Sequence, residues 1–228
     1  LARHTEKTVI CENDANASAI NELLLSGGEI SAQDFFYIFV GAACGGGIVS
    51  KGECVQGAAG KAGNFGLIPT AKGELGAWIL EALSTVSLKR FFAQQEVTYP
   101  SNDDAWQVKN VQALVTYWCE KVAADITPAL ISIIALQDPK RILLGGRLPS
   151  FVLKVLINIL TLSVRESAPK VLDLPPIDVA VTGATSSIVG AAILPLYQTF
   201  SPYHSLLLVA EEPLKRQAIQ GVNGLEKS

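Results

Sequence analysis

Residues 35–49 read FFYIFVGAACGGGIV, an apolar run followed by a glycine-rich stretch and a second apolar pair. Six consecutive large apolar side chains, Phe35 to Val40, predict a strand that is buried on both faces. The glycines at 41 and 45–47 end this strand, and Ile48 and Val49 begin a second one. Lys51, Gly52 and Glu53 then have the composition of a hairpin turn. The stretch therefore predicts neighbouring strands of one sheet.

On both sides of this stretch, strand patterns and helix patterns alternate along the chain. Strands are predicted at residues 8–11, 141–144 and 178–181, and helices at residues 16–25, 78–92, 104–136, 150–166 and 185–200. Residues 57–76 are rich in glycine and alanine and are predicted as an irregular loop. This order predicts an α/β fold, a mixed sheet covered by helices, over residues 1–200. Residues 201–228 are predicted as a loosely structured tail.

The composition excludes several classes of protein. The chain has 228 residues, 49% of them hydrophobic and 17% charged, which predicts a large interior or a subunit interface and hence a homo-oligomer. Its apolar runs are shorter than the roughly 18 residues of a membrane span, and its start lacks a signal-like core, so a cytoplasmic protein is expected. With a net charge of −3 and scattered basic residues, it has no basic footprint for DNA. Any DNA contact would come from a segment outside this chain.

The metal-ligating side chains are poorly placed for a metal site. The four cysteines, at positions 11, 44, 54 and 119, have no CxxC or CxC spacing, and His4 and His204 lie near opposite ends. A structural zinc site needs four such ligands in close groups. We therefore expect no metal and interpret each cysteine as a small buried hydrophobe.

Residues 12–17, ENDANA, follow a predicted strand and precede a predicted helix. In α/β proteins, ligands bind at such strand ends. A carboxylate there, Asp14, can act as a general base toward a substrate hydroxyl, while Asn13 holds a neighbouring hydroxyl. The alternative is that Asp14 only caps the helix, which is a common role for aspartate at that position.

Two glycine-rich stretches follow other predicted strands. Gly45, Gly46 and Gly47 can bring backbone N–H groups close to a phosphate, but they can equally form a tight turn that packs against a helix. Gly145 and Gly146 follow the strand at 141–144 and suit the flat face of an adenosine, although ordinary strand-to-helix turns use the same residues.

Taken in order, ENDANA, GxxxGGGIV, GxxGxAG, LLGG and a terminal VGAA resemble the repressor and kinase (ROK) family of sugar kinases and sugar-responsive repressors. The resemblance implies a ribonuclease H-like lobe of the actin-like ATPase superfamily. It implies that Asp14 matches the catalytic base, that Asn13 contacts sugar, that Gly45 to Gly47 match a phosphate loop, and that Gly145 and Gly146 match the adenosine-side loop. The family's amino-terminal D-x-G-G-T phosphate loop would precede residue 1.

The sequence departs from this family at the sugar motif, which is A-G-E-x-G-H. Residues 62–67 read AGNFGL, so Asn64 replaces the glutamate and Leu67 the histidine. The Asn64 side chain can hydrogen-bond a sugar hydroxyl, but it is a neutral amide and lacks the charge of glutamate. Leu67 can neither bind zinc nor donate a hydrogen bond. The family's cysteine-rich zinc loop is absent from residues 69–74, and Ala43 stands where a glycine is usual.

Three functions are compatible with these residues. The departures favour a sugar-sensing and dimerisation lobe of a ROK-type transcriptional regulator, with a small sugar as ligand. The alternative is a sugar kinase in which Asp14 deprotonates a hydroxyl that attacks the γ-phosphate of Mg-ATP. A structural or oligomerisation module is the third.

Overall fold

The computed structural model describes residues 9–25 and 34–200, and its centre is the predicted apolar strand. This strand, β1 (Phe35–Val40), is buried at every position. It pairs antiparallel with β2 (Cys44–Ser50) and parallel with β4 (Arg141–Gly146). A strand with a partner on each side and a covered surface on each face needs apolar side chains throughout, which is why residues 35–40 contain nothing else.

Two short strands complete the sheet, whose order is β3-β2-β1-β4-β5. Strand β3 (Glu53–Cys54) pairs antiparallel with β2 through the predicted hairpin turn, where Lys51 and Gly52 have φ angles of 53° and 77°. Strand β5 (Ile177–Val179) pairs parallel with β4. The predicted α/β fold with a mixed sheet covered by helices is confirmed.

Helices account for most of the remaining described residues. They are α1 (Asp14–Leu25), α2 (Ile79–Ala82), α3 (Thr85–Gln94), α4 (Lys109–Gln137), α5 (Ser150–Ser167) and α6 (Ser186–Phe200), with 3-10 turns at Phe65–Leu67 and Asp104–Gln107. The helix predicted at residues 78–92 is two helices, because Ser84 begins α3: its hydroxyl accepts the Ser87 N–H at 3.0 Å. The part of the chain that the structure describes contains no helix with both the length and the apolar character for crossing a bilayer.

The two faces of the sheet carry different layers. Phe36, Ile38 and Val40 belong to the main hydrophobic core, together with buried residues of α4 and α5. The opposite face meets α1, and on this face the Tyr37 hydroxyl lies 3.4 Å from the hydroxyl of Ser186, the first residue of α6. Burial raises the pKa of Tyr37 to about 12. Alternation of side chains along β1 therefore assigns one face to the long helices and the other to α1.

A buried carboxylate fixes α1 beside the end of β5. Glu22 is fully buried, and its oxygens accept the Val181 N–H at 2.8 Å and the Thr182 N–H at 3.0 Å. The Thr182 hydroxyl also donates to Glu22, at 2.5 Å. A buried charge is tolerated only with such partners, so these bonds specify how α1 lies against the loop after β5.

Two predictions concern the ends of the chain. The strand predicted at residues 8–11 is wrong over 9–11, which adopt no regular structure, because β propensity produces a strand only where a neighbouring strand supplies partners. Thr8 and the predicted tail at 201–228 lie outside the described residues. By its contacts the described part of the chain divides into two units, one within residues 11–191 and one that includes residues 9–10 and 192–200.

The contact between Gly190 and α1 gives a test of this packing. A Cβ at Gly190 would overlap the Ala17 carbonyl oxygen, so we expect Gly190→Ala to lower the free energy of unfolding by about 1–3 kcal/mol. Helix propensity alone predicts the opposite, a gain of about 1 kcal/mol. Denaturant unfolding measures the sign. Ala191→Gly, at an exposed neighbour, is the control and should cost only about 1 kcal/mol. A more stable Gly190→Ala variant would contradict the packing described here.

Candidate functional site

The first turn of α1 separates the roles of Asn13 and Asp14. The Asn13 carbonyl accepts the first helical bond, from the Ala17 N–H at 2.9 Å, and its side-chain oxygen accepts the Ala15 N–H at 2.8 Å. Asn13 is therefore the residue that caps the helix. Asp14 is exposed, and no described residue hydrogen-bonds or ion-pairs with its carboxylate. The capping role that was an alternative for Asp14 belongs to its neighbour, so the carboxylate is left available to a ligand.

Glu12 holds this turn in place, a role that the sequence patterns did not reveal. Its carboxylate accepts the Asn13 N–H at 2.8 Å, the Asn16 side-chain amide at 3.0 Å and the Gln56 amide at 3.2 Å. The first two bonds are local to the start of α1, and the third connects it to the chain beyond β3. The only sequence signal is an acidic residue immediately before the Asn-Asp pair.

The three glycines predicted to form a phosphate loop between two strands lie within the second strand, β2, which begins at Cys44 rather than at Ile48. A Cβ at Gly46 would stand 2.5 Å from the Gly63 carbonyl oxygen and 2.6 Å from the Phe36 ring. On the other face, a Cβ at Gly45 or Gly47 would press against alanines of α1, at 3.2 Å and 2.9 Å. The absence of side chains thus permits close packing on both faces of the strand. Gly45 also borders the cleft described below, while phosphate binding by these glycines stays a prediction.

Asn64 is held above β2 by its two neighbours. Gly63, with φ of +82°, lies against Gly46, and Phe65 is buried with its ring edge-to-face against Phe36 at 5.8 Å. The Phe65 N–H donates to the Gly63 carbonyl at 2.5 Å. Because both flanking residues are anchored, the exposed Asn64 side chain projects from a fixed backbone.

A buried aspartate of α4 fixes the loop that follows. One oxygen of Asp125 accepts the Lys72 N–H at 2.8 Å and the Gly73 N–H at 3.0 Å, while its main-chain carbonyl accepts the Ala71 N–H at 3.1 Å. Lys121, one turn earlier, pairs with Glu74. These contacts hold residues 71–74 against α4 through a carboxylate and an ion pair.

The two glycines predicted to follow the strand at 141–144 are the last two residues of β4 itself, each in a tight environment. A Cβ at Gly145 would overlap the Tyr37 hydroxyl, so the absence of a side chain lets this tyrosine pack against the end of the strand. Gly146 has φ of +111°, and a Cβ there would overlap the Val40 carbonyl oxygen. This close approach lets the Arg147 N–H donate to the same Val40 oxygen at 2.7 Å. Adenosine binding at Gly145 and Gly146 stays a prediction.

These segments meet around one cleft of about 470 Å³. It is lined by Asn13, Asp14, Phe39, Ala42, Ala43, Cys44, Gly45, Asn64, Gly66, Leu67, Leu80 and Arg147. The structure thus brings together four predicted site residues, Asn13, Asp14, Gly45 and Asn64. Gly46, Gly47, Gly145 and Gly146 do not line it. A larger depression of about 610 Å³ runs along β5 and α5 and contains no predicted site residue.

No described group of three or more His, Cys, Asp or Glu side chains is arranged to hold a metal ion. Both histidines lie outside the described residues. In the cleft, Cys44 is a buried thiol. Burial, and next the negative charge of Asp14, raises its pKa to about 12.

Comparison with known proteins identifies the family. The ROK family model matches residues 1–197. The chain belongs to the ROK family. It is 27% identical to protein y4fQ of Sinorhizobium fredii over 194 residues, and this alignment covers 83% of the chain and 47% of that protein. It is 29% identical to a beta-glucoside kinase of Listeria monocytogenes over 163 residues, and this alignment covers 66% of the chain and 53% of that kinase. This ROK chain spans about half the length of the curated relatives that it matches.

Solved ROK structures share the fold. A glucokinase from Streptomyces griseus, in complex with glucose and AMPPNP, aligns with a TM-score of 0.65 at 22% identity, over 85% of this chain and 70% of that one. A ROK family transcriptional regulator, a homologue of the E. coli MLC protein, aligns with a TM-score of 0.59 at 20% identity. The alignment covers 86% of this chain and 53% of the regulator. These alignments confirm the α/β fold expected from the sequence, and kinases as well as a regulator share it.

The burial of the cysteines makes a prediction about thiol reactivity. The interpretation of each cysteine as a buried hydrophobe is wrong for Cys11, which is exposed. The other three are buried, and burial raises the pKa of Cys44 and of Cys54 to about 12. A thiol with a pKa near 12 is about 0.01% thiolate at pH 8, and the thiolate is the reactive form. We expect dithionitrobenzoate to modify one thiol rapidly in the native protein and all four after denaturation. Cys11→Ser should remove the rapid phase, and a rapid phase that survives would disprove this assignment.

Proposed function

We propose that this ROK chain binds a small sugar in the cleft and serves as the sugar-sensing lobe of a transcriptional regulator, without phosphorylating the sugar. The observation that carries the proposal is the position of Asn64 and Leu67, which line the same cleft as Asp14. These two residues stand where the family resemblance has glutamate and histidine. The sugar side of the cleft therefore offers a neutral amide and an aliphatic side chain that is 57% exposed.

Sugar recognition is supported by the remaining polar groups of the cleft. The unpaired Asp14 carboxylate can accept hydrogen bonds from sugar hydroxyls, and hydrogen bonds to a charged group are the stronger kind. Asn13 uses its side-chain oxygen as the helix cap, which leaves its NH₂ group as a donor. Asn64 supplies a further donor and acceptor from a fixed backbone. This set suits hydroxyl groups that are held in a defined orientation.

The anchoring of residues 71–74 supports a site that works without zinc. Asp125 is 1% exposed, and its contacts with this loop are the kind of fixed restraint that a structural metal would otherwise provide.

In the proposed regulator, DNA would be read by a segment outside this chain, and sugar binding would shift the balance between two arrangements of a homo-oligomer. Its location in the cytoplasm belongs to the same proposal.

The second candidate is an ATP-dependent sugar kinase. It is favoured by the free carboxylate of Asp14 and by the similarity to a beta-glucoside kinase. Asp14 would then orient and deprotonate the attacking hydroxyl, and Mg-ATP would supply the phosphoryl group. The loss of the charged sugar contact at position 64 weighs against this candidate.

A coupled ATP-turnover assay on the full-length protein, with a panel of hexoses, distinguishes the two. We expect no sugar-dependent turnover, and stabilisation against heat by the sugar that fits. At a sugar concentration of 100 times Kd, the stabilisation is about 2.7 kcal/mol, or roughly 5–10 °C in Tm for a domain of this size. Asp14→Asn should weaken that sugar about 10- to 100-fold, because a charged acceptor is lost.

Asp103→Asn is the matched control, since Asp103 is an exposed acid outside the cleft, and it should leave the sugar affinity unchanged. Hexose-dependent turnover that Asp14→Asn abolishes would refute the sensing proposal and establish the kinase. If no sugar binds or reacts, the hypothesis of a structural or oligomerisation module replaces both the sensor and the kinase.

A further inference from the structure

A groove runs along the edge of the sheet, away from the cleft. Its main part is the depression of about 610 Å³ between β5 and α5. A hollow of about 260 Å³ adjoins it, since Thr161 and Ile177 line both. We call the two together the β5 groove, which is formed by residues 154–165 of α5 and residues 174–179 in and before β5.

One wall of the β5 groove is a strand with free main-chain groups. The Pro176 carbonyl accepts an N–H of β4 at 3.0 Å, and the Ala180 N–H donates to a carbonyl of β4 at 2.8 Å. Because successive residues of a strand direct their main-chain groups to opposite sides, Ile177 and Val179 direct theirs away from β4. No residue in the described part of the chain pairs with these outward groups. The edge of β5 can therefore accept a further strand.

The other wall is an exposed face of α5. Lys154, Asn158, Leu162 and Arg165 follow one another at helical spacing, and all four are exposed. Leu162 is 55% exposed, and Val179 on the strand is 43% exposed. Both walls of the groove thus leave a large apolar side chain in contact with solvent, which an apolar side chain of an added strand would cover.

The charges of the groove restrict its occupant. Lys154 and Arg165 are about 16 Å apart along the helix, a distance that about five residues of a strand span. Neither base forms an ion pair with a described residue, whereas the acid of the groove, Asp178, lies 3.9 Å from Arg141. The groove therefore has an unpaired positive charge toward each end and an apolar middle, which complements a short strand with acidic ends.

A second copy of this chain fits this edge poorly. If two β5 strands paired antiparallel through their outward groups, Ile177 of each copy would lie opposite Val179 of the other. The Asp178 side chains of the two copies would then lie directly opposite each other. Like charges in that position destabilise a strand pair. The charges favour a strand from a different protein.

We propose that the β5 groove binds an extended segment of a partner protein, which adds to β5 as a further strand of the sheet and carries acidic residues at both ends. Main-chain hydrogen bonds to Ile177 and Val179 supply affinity. Selectivity comes from apolar contacts with Leu162 and from the charges of Lys154 and Arg165. The proposal does not depend on the sugar site.

Fluorescence anisotropy with labelled peptides and the full chain provides the test. The probes are capped peptides of about eight residues, with a pair of glutamates at either end. At the centre, threonine alternates with valine, isoleucine, tyrosine or phenylalanine, and control peptides have lysine in place of each glutamate. We expect at least one acidic peptide to bind, about tenfold or more tightly than its lysine counterpart at low ionic strength. Failure of every acidic peptide to bind overturns the proposal.

Val179→Pro tests the strand pairing. Because the Val179 N–H points away from β4, proline removes no hydrogen bond of the sheet, as at edge strands in general. It does remove a donor to the added strand, so it should abolish peptide binding with little change in Tm. Val179→Thr keeps the N–H and the branched side chain, and should change peptide affinity by less than about threefold. Binding that survives Val179→Pro contradicts the pairing.

Reversing the charges of the groove tests the acidic ends. Lys154→Glu combined with Arg165→Glu should weaken the acidic peptides about tenfold or more and strengthen the lysine peptides. Arg90→Glu combined with Lys109→Glu is the matched control, since both bases are exposed and lie outside the groove. An unchanged preference in the groove variant would refute an acidic partner.

Hydrogen exchange of the free protein tests the other two occupants. The amides of Ile177 and Val179 should exchange as rapidly as unpaired groups when no peptide is present. Protection at low protein concentration would show that another segment of the same chain covers the edge. Protection that develops only at high concentration would show a second copy there. Either result overturns the proposal and leaves the sugar site untouched.

Discussion

The contact of two segments with the bare backbone of β2 is the constraint on which the site depends. Three consecutive glycines give this strand no side chains over residues 45–47, so α1 approaches it from one face and Gly63 from the other. Side chains at these positions would push α1 and Gly63 away from the strand by about the width of a methyl group or more. A close-packed interior tolerates little displacement of this kind. Asp14 and Asn64 belong to segments that pack on opposite faces of β2, yet they border one cleft.

The parallel pairing of β1 and β4 brings two further segments that line the cleft, the turn after β1 and Arg147 after β4, to one edge of the sheet. Since the strands end in register at Val40 and Gly146, the turn after β1 and the residue after β4 become neighbours. The turn itself is held from outside, because the Thr85 N–H and hydroxyl both donate to the Gly41 carbonyl, at 2.8 and 3.0 Å. Rigid strand ends of this kind position ligand-binding groups more precisely than free loops do.

The sequence predicted the elements whose signal is local. The run at residues 35–40 and the strand before Gly145 needed only their own composition, and both lie where expected. The roles of Asn13 and Asp14 could not be separated, because two short polar residues in succession are equally good caps until the backbone is known. Asp125 escaped notice for another reason: its partners are backbone N–H groups some 50 residues away, which leave no pattern in the sequence.

Retention of Asp14 does not by itself imply catalysis. A general base contributes about 10²–10⁴-fold to a reaction rate, whereas phosphoryl transfer depends mostly on groups that position Mg-ATP and stabilise charge in the transition state. A carboxylate that accepts a hydrogen bond from a sugar hydroxyl strengthens binding even when no phosphoryl group is transferred, so a sensor retains it for affinity alone. Only interactions that strengthen in the transition state accelerate a reaction. For this cleft, the deciding quantity is therefore whether Asp14 changes turnover or only affinity.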